Sequence, residues 1–292
     1  MKILVLGASG MIGSAIFRVL SKDHAFEVWG SIRSAKWKVF FTSDQQEHLT
    51  ICDDLLDQIE LTRLFSEIDP DIVINCVGLT KHHKESNDIM LAVPLNTLLP
   101  HRLAKLCKAF SARLIHISTD CIFSGLNGNY TESDLSDAVD VYGKSKFLGE
   151  VVNCPHAVTL RTSTIGHELQ SSYGLLEWFL SQHGSCTGFN KAIFSGLPNT
   201  VFAELIRDHI IIRPQLHGLY HVGGLPIGKY DLLKLIAAQY GKDINIQYDD
   251  TFSINRSLNS DLFSAATGYR PPSWPELIQS MHKSQEVLNV SK

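Results

Sequence analysis

Tyr142 and Lys146 are the two residues of this chain whose types and spacing could do proton chemistry. Residues four apart on a helix are neighbours, so we expect the Lys146 ammonium beside the Tyr142 hydroxyl. A free tyrosine has a pKa of about 10, and a nearby cation lowers it by favouring the phenolate. Lowering the pKa of Tyr142 to about 7 would take about 4 kcal/mol, at about 1.36 kcal/mol per unit. The same spacing is common on solvated helix faces, so it indicates catalysis only in a suitable context.

A glycine-rich turn near the amino terminus supplies that context. The apolar run Lys2–Leu6 leads into Gly7, Gly10 and Gly13, and a helical pattern follows. A strand, this glycine spacing and a helix together are typical of a dinucleotide-binding turn. Gly7 permits the tight turn, Gly10 admits a pyrophosphate, and Gly13 lets the helix pack closely, while the helix N-terminus attracts phosphate. The residues expected to contact a cofactor here are Gly7, Ser9, Gly10, Met11, Ile12 and Gly13.

The composition argues against several classes of protein. The chain has 292 residues, of which 44% are hydrophobic and 19% charged, and its net charge is −4, so it has no basic footprint for nucleic acid. No apolar run is long enough to span a bilayer and a strand begins almost at once, so we expect neither membrane insertion nor a signal peptide. Six cysteines lie far apart without a C-x-x-C pair. This predicts a cytoplasmic protein without a disulfide framework or a zinc site.

Alternating strands and helices predict an α/β fold, a doubly wound parallel sheet that is Rossmann-like. The predicted strands are Lys2–Leu6, Phe26–Ile32, Leu49–Ile51, Asp71–Val77, Arg113–Ser118, Ala157–Arg161, Leu219–Val222 and Ile244–Tyr248. The predicted helices are Met11–Ser21, Asp57–Ile68, Asn87–Phe110, Val139–Val152, Tyr173–Gln182, Thr200–His209, Tyr230–Tyr240 and Pro275–Val287. We expect residues 1–166 to form a dinucleotide-binding domain, joined by later elements at about 198–225. Residues 167–292 should form mainly a smaller, interleaved substrate lobe.

Such sheets bind ligands at the carboxyl ends of their strands. After the second strand the usual acidic partner of a ribose 2′-hydroxyl is missing, and Arg33 would suit a 2′-phosphate, which favours NADPH over NADH. The alternative is a solvent-exposed arginine. Further cofactor contacts are expected from Asp54, Leu55, Cys76, Val77 and Gly78. At the end of the fifth strand either Ser118 or Thr119 could hydrogen-bond a substrate carbonyl and the Tyr142 phenol.

The run Lys81-His82-His83-Lys84 follows the fourth strand. It could face a nucleotide diphosphate, and its adjacent histidines suggest a metal. No carboxylate or cysteine at a suitable spacing accompanies them, so we interpret the run as a solvated loop and expect no metal.

Taken together, the motifs resemble the extended short-chain dehydrogenase/reductase family, in its dTDP-4-dehydrorhamnose reductase-like, sugar-nucleotide-binding branch. The motifs are Gly7-x-x-Gly10-x-x-Gly13, Ser118–Gly125, Tyr130–Glu132, Tyr142–Glu150, Leu160–Ser163, Gly218–His221 and Arg256–Asn259. The resemblance covers nearly the whole chain. It implies NADPH-dependent reduction of a 4-keto nucleotide sugar in deoxysugar and surface polysaccharide synthesis, lipopolysaccharide included.

The resemblance also implies residue roles. Tyr142 would donate a proton to the ketone oxygen as hydride arrives from NADPH. Lys146 would hold the nicotinamide ribose and lower the tyrosine pKa, Thr119 would orient the carbonyl, and Thr162 would lie along the nicotinamide. The expected substrate contacts are Thr80, Thr119, Asp120, Cys121, Pro198, Asn199 and Arg256. A homodimer is compatible with the resemblance.

Two other functions stay open. Cys121 stands where rhamnose-pathway reductases usually carry an aromatic residue, and it replaces the glutamate of the related dehydratases, which disfavours dehydration. The pattern is also similar to GDP-fucose synthase, where a cysteine and a later histidine epimerise carbons beside the ketone. Here Cys121 and His167 would do so, a thiolate near a cationic histidine being the base; otherwise Cys121 is a packed side chain and His167 a loop residue. From another class, the chain could be a non-catalytic NADP-binding subunit like the regulatory subunit of methionine adenosyltransferase.

Overall fold

The computed structural model describes residues 1–81, 84–170 and 172–289. The strands are β1 Lys2–Leu6, β2 Glu27–Ile32, β3 Leu49–Ile51, β4 Ile72–Asn75, β5 Arg113–Thr119, β6 Ala157–Thr162, β7 Thr164–Ile165, β8 Ser185–Phe189, β9 Ala192–Phe194, β10 Leu197–Pro198, β11 Gly218–His221, β12 Ile227–Gly228, β13 Asn245–Asp249 and β14 Ile254–Asn255. Within the described residues, seven parallel strands form the main sheet in the order β3-β2-β1-β4-β5-β6-β11. This confirms the predicted doubly wound sheet, whose order reverses between β1 and β4, the place where such sheets bind ligands.

Helices cover both faces of this sheet. They are α1 Met11–Leu20, α2 Ser43–Glu47, α3 Gln58–Ile68, α4 Ile89–Ala92, α5 Leu99–Ala109, α6 Val141–Leu148, α7 Leu175–Ser181, α8 Asn199–Leu205, α9 Lys229–Tyr240, α10 Asp261–Thr267 and α11 Trp274–Asn289. Strand β1 shows why two layers are needed: Ile3 and Val5 belong to the core under α1 and α8, whereas Leu4 and Leu6 belong to the core under α3 and α5. A strand buried on both faces reads as an unbroken apolar run.

The helix predicted over Asn87–Phe110 begins at Ile89 and is widened in its middle. Residues Val93–Leu98 form a π-helical segment between α4 and α5. Pro94 lies in this segment and has no N–H to donate, which favours a local break in the regular hydrogen bonding. The widened turn contains the buried Asn96, whose amide donates to the Leu79 carbonyl (3.0 Å) and to the Ser145 hydroxyl (3.1 Å). The loop after β4 is thereby fastened to α6.

Helix α6 is shorter than the predicted Val139–Val152. It begins after Asp140, whose carboxylate accepts a hydrogen bond from the Gly143 amide at 2.6 Å. It ends at Gly149, where a Cβ would clash with the Asn96 carbonyl. The helix α6 therefore ends where it packs closely against the π-helical turn. The helix propensities of its own residues do not indicate this end.

The second half of the chain builds a smaller lobe and also returns to the main sheet. Strand β8 pairs with β13, and β9 lies between β12 and β14. Strand β11 adds to the edge of the main sheet beside β6, and α8 packs on α1. Among the described residues, no helix is long and apolar enough to cross a membrane, and no three His, Cys, Asp or Glu side chains are grouped to hold a metal ion.

Candidate active site

The glycine turn after β1 has the geometry of a phosphate cradle. Gly7 has φ +79°, and a Cβ there would lie 3.1 Å from the Val77 side chain, while a Cβ on Gly13 would clash with the Gly7 carbonyl. Gly10 is exposed and precedes α1, which has neither a side-chain cap nor an acidic residue in its first turn. Unpaired N–H groups at a helix N-terminus attract phosphate. The turn therefore fits a dinucleotide pyrophosphate, and the contacts expected of Ser9, Met11 and Ile12 stay predictions.

The other expected cofactor residues follow neighbouring strands at the same edge. Arg33 comes directly after β2 and its side chain is exposed. Asp54, after β3, accepts a hydrogen bond from the Leu56 amide at 2.8 Å, and Leu55 is buried. The loop after β4 contains Cys76, Val77 and Gly78. Parallel strands place all of these loops around the opening between β1 and β4.

The end of β5 separates the two hydroxyls between which spacing could not choose. The buried Ser118 hydroxyl donates to Glu150 Oε1 at 2.7 Å, which holds it beneath the site. Thr119 lies beside the Tyr142 phenol, accepts a hydrogen bond from the Cys121 amide at 3.1 Å and donates one to Asp120 Oδ1 at 3.2 Å. It also pairs in register with Thr162, at the end of β6. Thr119 is therefore the hydroxyl that faces the phenol.

The expected effect of Lys146 on the Tyr142 pKa does not appear. The buried Lys146 ammonium donates to the Ile117 carbonyl at 2.8 Å, and burial lowers the pKa of Lys146 to about 8. Burial and the neighbouring Cys121 raise the pKa of Tyr142 above its usual range, against the hydrogen bond from Thr119. Four-residue spacing puts two side chains on one face but does not fix where each points. Tyr142 is thus a neutral phenol at pH 7, the form that can donate a proton.

Cys121 is a buried thiol beside the phenol. Burial raises its pKa to about 11, and Asp120 acts in the same direction, whereas Lys81 and Arg256 oppose the rise. The Lys81 ammonium donates to the sulfur at 3.6 Å. A raised pKa disfavours the thiolate at neutral pH, and the role of Cys121 in epimerisation stays a prediction.

The proposed partnership of Cys121 with His167 is not supported. The ring of the buried His167 is held at both nitrogens: Nδ1 lies 2.8 Å from Glu177 Oε1 and Nε2 lies 3.0 Å from the Tyr240 hydroxyl. His167 also lines a cavity of about 290 Å³ between α1, α8 and α11. Because His167 follows β6 closely in sequence, we expected it near the site. Its ring instead contacts Glu177 of α7 and Tyr240 of α9.

Pro198 and Asn199 were expected to contact the substrate, which stays a prediction, and the structure shows both residues buried. Pro198 is buried and pairs with Ile165 in the β10–β7 ladder. The Asn199 amide donates to the Met11 carbonyl at 3.2 Å and to the His167 carbonyl at 3.3 Å, so it links α8 to the start of α1.

Positive side chains collect near Cys121. The Arg256 Nε donates to the Phe123 carbonyl at 2.6 Å, and Arg256 acts electrostatically on Cys121. Thr80 is exposed next to Lys81, while His82, His83 and the side chain of Lys84 lie outside the described residues. Lys229 lies within electrostatic range of the same group, and sequence reasoning missed it. In the sequence, Lys229 is only a lysine at the start of a helix in the second lobe. The fold is needed to bring it to the site.

A buried ion pair supports the strand end from below. The Arg161 guanidinium donates to both carboxylate oxygens of Glu150, at 2.8 and 2.7 Å, and each side chain is at most 4% exposed. Arg161 also contacts His221 Nε2 at 3.1 Å, and His221 Nδ1 lies 2.9 Å from the Tyr130 carbonyl. Burial and Arg161 lower the pKa of His221 to about 4, so the imidazole is neutral. With Ser118, these groups connect β5, α6, β6 and β11 directly under Thr119.

Comparison with known proteins identifies a family. Residues 1–182 match the family model described as RmlD substrate binding domain. The chain is 34% identical over 166 residues to a probable low-salt glycan biosynthesis reductase, Agl14, of Haloferax volcanii, covering 55% of this chain and 52% of that protein. It is 29% identical over 149 residues to the methionine adenosyltransferase 2 subunit beta of Rattus norvegicus, covering 51% and 41%. The chain thus spans about half the length of these curated relatives or less.

A solved structure shares the whole fold. The dTDP-4-dehydrorhamnose reductase of Bacillus anthracis, crystallised in complex with NADP, superposes with a TM-score of 0.77 over 97% of this chain and 99% of that one. The two sequences are 19% identical, so this likeness concerns the fold.

Proposed function

We infer that this chain, which belongs to the RmlD substrate binding domain family, is an NADPH-dependent oxidoreductase that reduces the 4-keto group of a nucleotide-activated 6-deoxyhexose. Family membership confirms the resemblance drawn from the motifs. The observation that carries the proposal is that Thr119 and the Tyr142 phenol are neighbours at the carboxyl edge of the sheet. It stands beside a glycine turn that fits a pyrophosphate, where a carbonyl and a dinucleotide can meet.

The residues that would hold NADPH surround the opening between β1 and β4. Gly7 to Gly13 would take the pyrophosphate, Arg33 the 2′-phosphate, and Gly78 with Lys146 the nicotinamide ribose. A Cβ on Gly78 would lie 3.8 Å from Lys146 Nζ, so the two residues are neighbours. NADPH, when bound, supplies the hydride. A relative solved with NADP and others solved with NAD support this class of cofactor, with NADH as the alternative.

Two hydroxyls would act on the ketone. Thr119 would hydrogen-bond the carbonyl oxygen and fix its direction, and Tyr142 would give its proton to that oxygen as negative charge develops there. The raised pKa of Tyr142 keeps the proton on the phenol until an alkoxide, a stronger base, needs it. Lys146 would contribute a positive charge beneath the site.

Tyr142→Phe tests this function. With a panel of 4-keto nucleotide sugars, we expect the kcat for NADPH oxidation to fall roughly 10²- to 10⁴-fold, the usual contribution of a positioned acid. The Kd for NADPH should stay unchanged, because the ring remains. Tyr248→Phe, on exposed β13, is the matched control and should keep full activity. Equal kcat values for the wild type and Tyr142→Phe would refute the role of the phenol.

A second function is favoured by one relative, the methionine adenosyltransferase 2 subunit beta. Under that alternative the chain binds NADP(H) and regulates another protein. Tight NADPH binding without turnover on any 4-keto nucleotide sugar would favour it. The intact pair Thr119–Tyr142 supports the reductase instead.

We also propose a biosynthetic role and a cellular compartment for the reaction. The likeness to a glycan biosynthesis reductase supports a role in surface glycan or polysaccharide synthesis. All six cysteines are free, and four of them are buried, which is compatible with a reducing compartment such as the cytoplasm.

A further inference from the structure

A cavity of about 290 Å³ lies among α1, α8 and α11, which pack on the same core of the main sheet. Its charged lining residues are Arg18, Lys22, Glu204 and Lys283. The cavity follows the side of α1, and its lining includes none of the glycines of the turn that precedes this helix. Small-molecule pockets in proteins usually start at about 300 Å³, so a ligand of this cavity would be small.

The buried guanidinium of Arg18 lacks an anionic partner. Arg18 is 7% exposed, and within the described residues its guanidinium makes one hydrogen bond, from Nη2 to the Phe40 carbonyl. Its Nε has no hydrogen-bond partner, and the group lies over the Phe41 ring, 5.0 Å from the centroid. Arg18 forms no ion pair in the parts of the chain that the structure describes. Arginine is almost never buried this far without a charged partner.

Other groups of the lining are also left to bind an anion. The Thr200 hydroxyl is buried without a hydrogen-bond partner, and the exposed Lys283 forms no ion pair within the described residues. Glu204 is the carboxylate of the lining, and it acts electrostatically on Lys22. Positive charge therefore remains in surplus at Arg18 and Lys283. Water can accept from their N–H groups, but it leaves the positive charge unneutralised.

We propose that this cavity binds a small oxyanion, a phosphate or a carboxylate, between Arg18 of α1, Thr200 of α8 and Lys283 of α11. The planar fork of arginine N–H groups matches both kinds of anion, and the threonine hydroxyl would donate a further hydrogen bond. The bound anion would supply the partner that the buried guanidinium lacks. The site goes beyond the proposed function, because it uses none of the residues assigned to NADPH or to the ketone.

Calorimetry with inorganic phosphate, glycerol 3-phosphate and malonate tests this site. The protein is first saturated with NADPH, so that the glycine turn is occupied and does not take the probe. We expect the wild type to bind at least one probe, and its Kd to rise roughly tenfold or more in Arg18→Gln, the loss typical of a charge-assisted hydrogen bond. Thr200→Val keeps every charge and should raise the same Kd severalfold. Binding of the two phosphates without malonate identifies a phosphate site, and binding of malonate alone identifies a carboxylate site.

A matched pair of lysine variants separates this site from a general effect of charge. Lys283→Gln should raise the Kd severalfold, whereas Lys105→Gln, at an exposed position of α5 on the opposite face of the sheet, should leave it unchanged. Circular dichroism shows whether Arg18→Gln is folded, and Thr200→Val with Lys283→Gln decides the matter if it is not. A wild type that binds none of the three probes would overturn the site, as would an unchanged Kd in both Thr200→Val and Lys283→Gln.

Discussion

Replacing Lys146 by methionine should change how the stability of the protein depends on pH. The Lys146 side chain is 5% exposed, and burial lowers its pKa from 10.5 to about 8. A lowering of about 2.5 units corresponds to about 3 kcal/mol, at about 1.36 kcal/mol per unit. That is the free energy that the folded protein loses by keeping this ammonium charged.

The sign follows from proton counting. Below pH 8 both the folded and the unfolded chain hold the proton, so the cost is fully present. Between about pH 8 and 10.5 the unfolded lysine keeps its proton while the folded one has lost it, so stability rises with pH. The free energy of unfolding of the wild type, measured relative to Lys146→Met, should therefore increase by about 3 kcal/mol from pH 7 to pH 10.5.

Urea unfolding followed by circular dichroism at several pH values measures this difference. Contributions that do not titrate, such as the lost hydrogen bond to the Ile117 carbonyl, cancel because only the change with pH is compared. Lys144→Met, an exposed lysine on the same helix, is the matched control and should show no pH-dependent difference. A flat difference for Lys146→Met would refute the idea that burial depresses this pKa. The variant should also lose reductase activity.

Two further predictions concern the cofactor and the thiol. Arg33→Ala should raise the KM for NADPH roughly 10- to 100-fold and leave the KM for NADH unchanged, because a hydrogen bond between charged groups contributes about 1.5–3 kcal/mol; an unaltered NADPH to NADH preference would contradict the assignment. A 4-keto nucleotide sugar incubated with the enzyme in D₂O without NADPH should gain no deuterium, because Cys121 has a pKa of about 11 and the His167 ring is held by Glu177 and Tyr240. Incorporation seen by NMR and abolished in Cys121→Ser would restore the epimerase alternative.

The sequence was sufficient for the first half of the fold because local signals agreed there. Strands β1 and β3 have the predicted ends, since each is an apolar run bounded by turn residues. Strand β8 and helix α10 were missed. Strand β8 is short and contains a glycine, so its local pattern is weak. It is stabilised by pairing with β13, a strand far along the chain that no local pattern indicates.

The site was predictable in its residue types but less so in their orientations. The Tyr142–Lys146 spacing located a helix face, yet Lys146 turns under β5 to a backbone carbonyl. Ser118 and Thr119 are adjacent in sequence, and only the buried Glu150 shows which hydroxyl is free to face the phenol. Lys229 could not be found, because its position depends on the path of the second lobe.

Strand β11 and helix α8 have a consequence for how the protein folds during its translation. The glycine turn is translated first, but the contact of Arg161 with His221 needs β11, and the packing of α8 on α1 needs residues 199–205. Domains are generally completed in order of emergence from the ribosome. A nascent chain ending at residue 182 would lack α8 against α1, and Arg161 would keep its ion pair with Glu150 but lack its contact with His221. The segment by which the family is identified therefore gains its complete set of contacts only after β11 has been made.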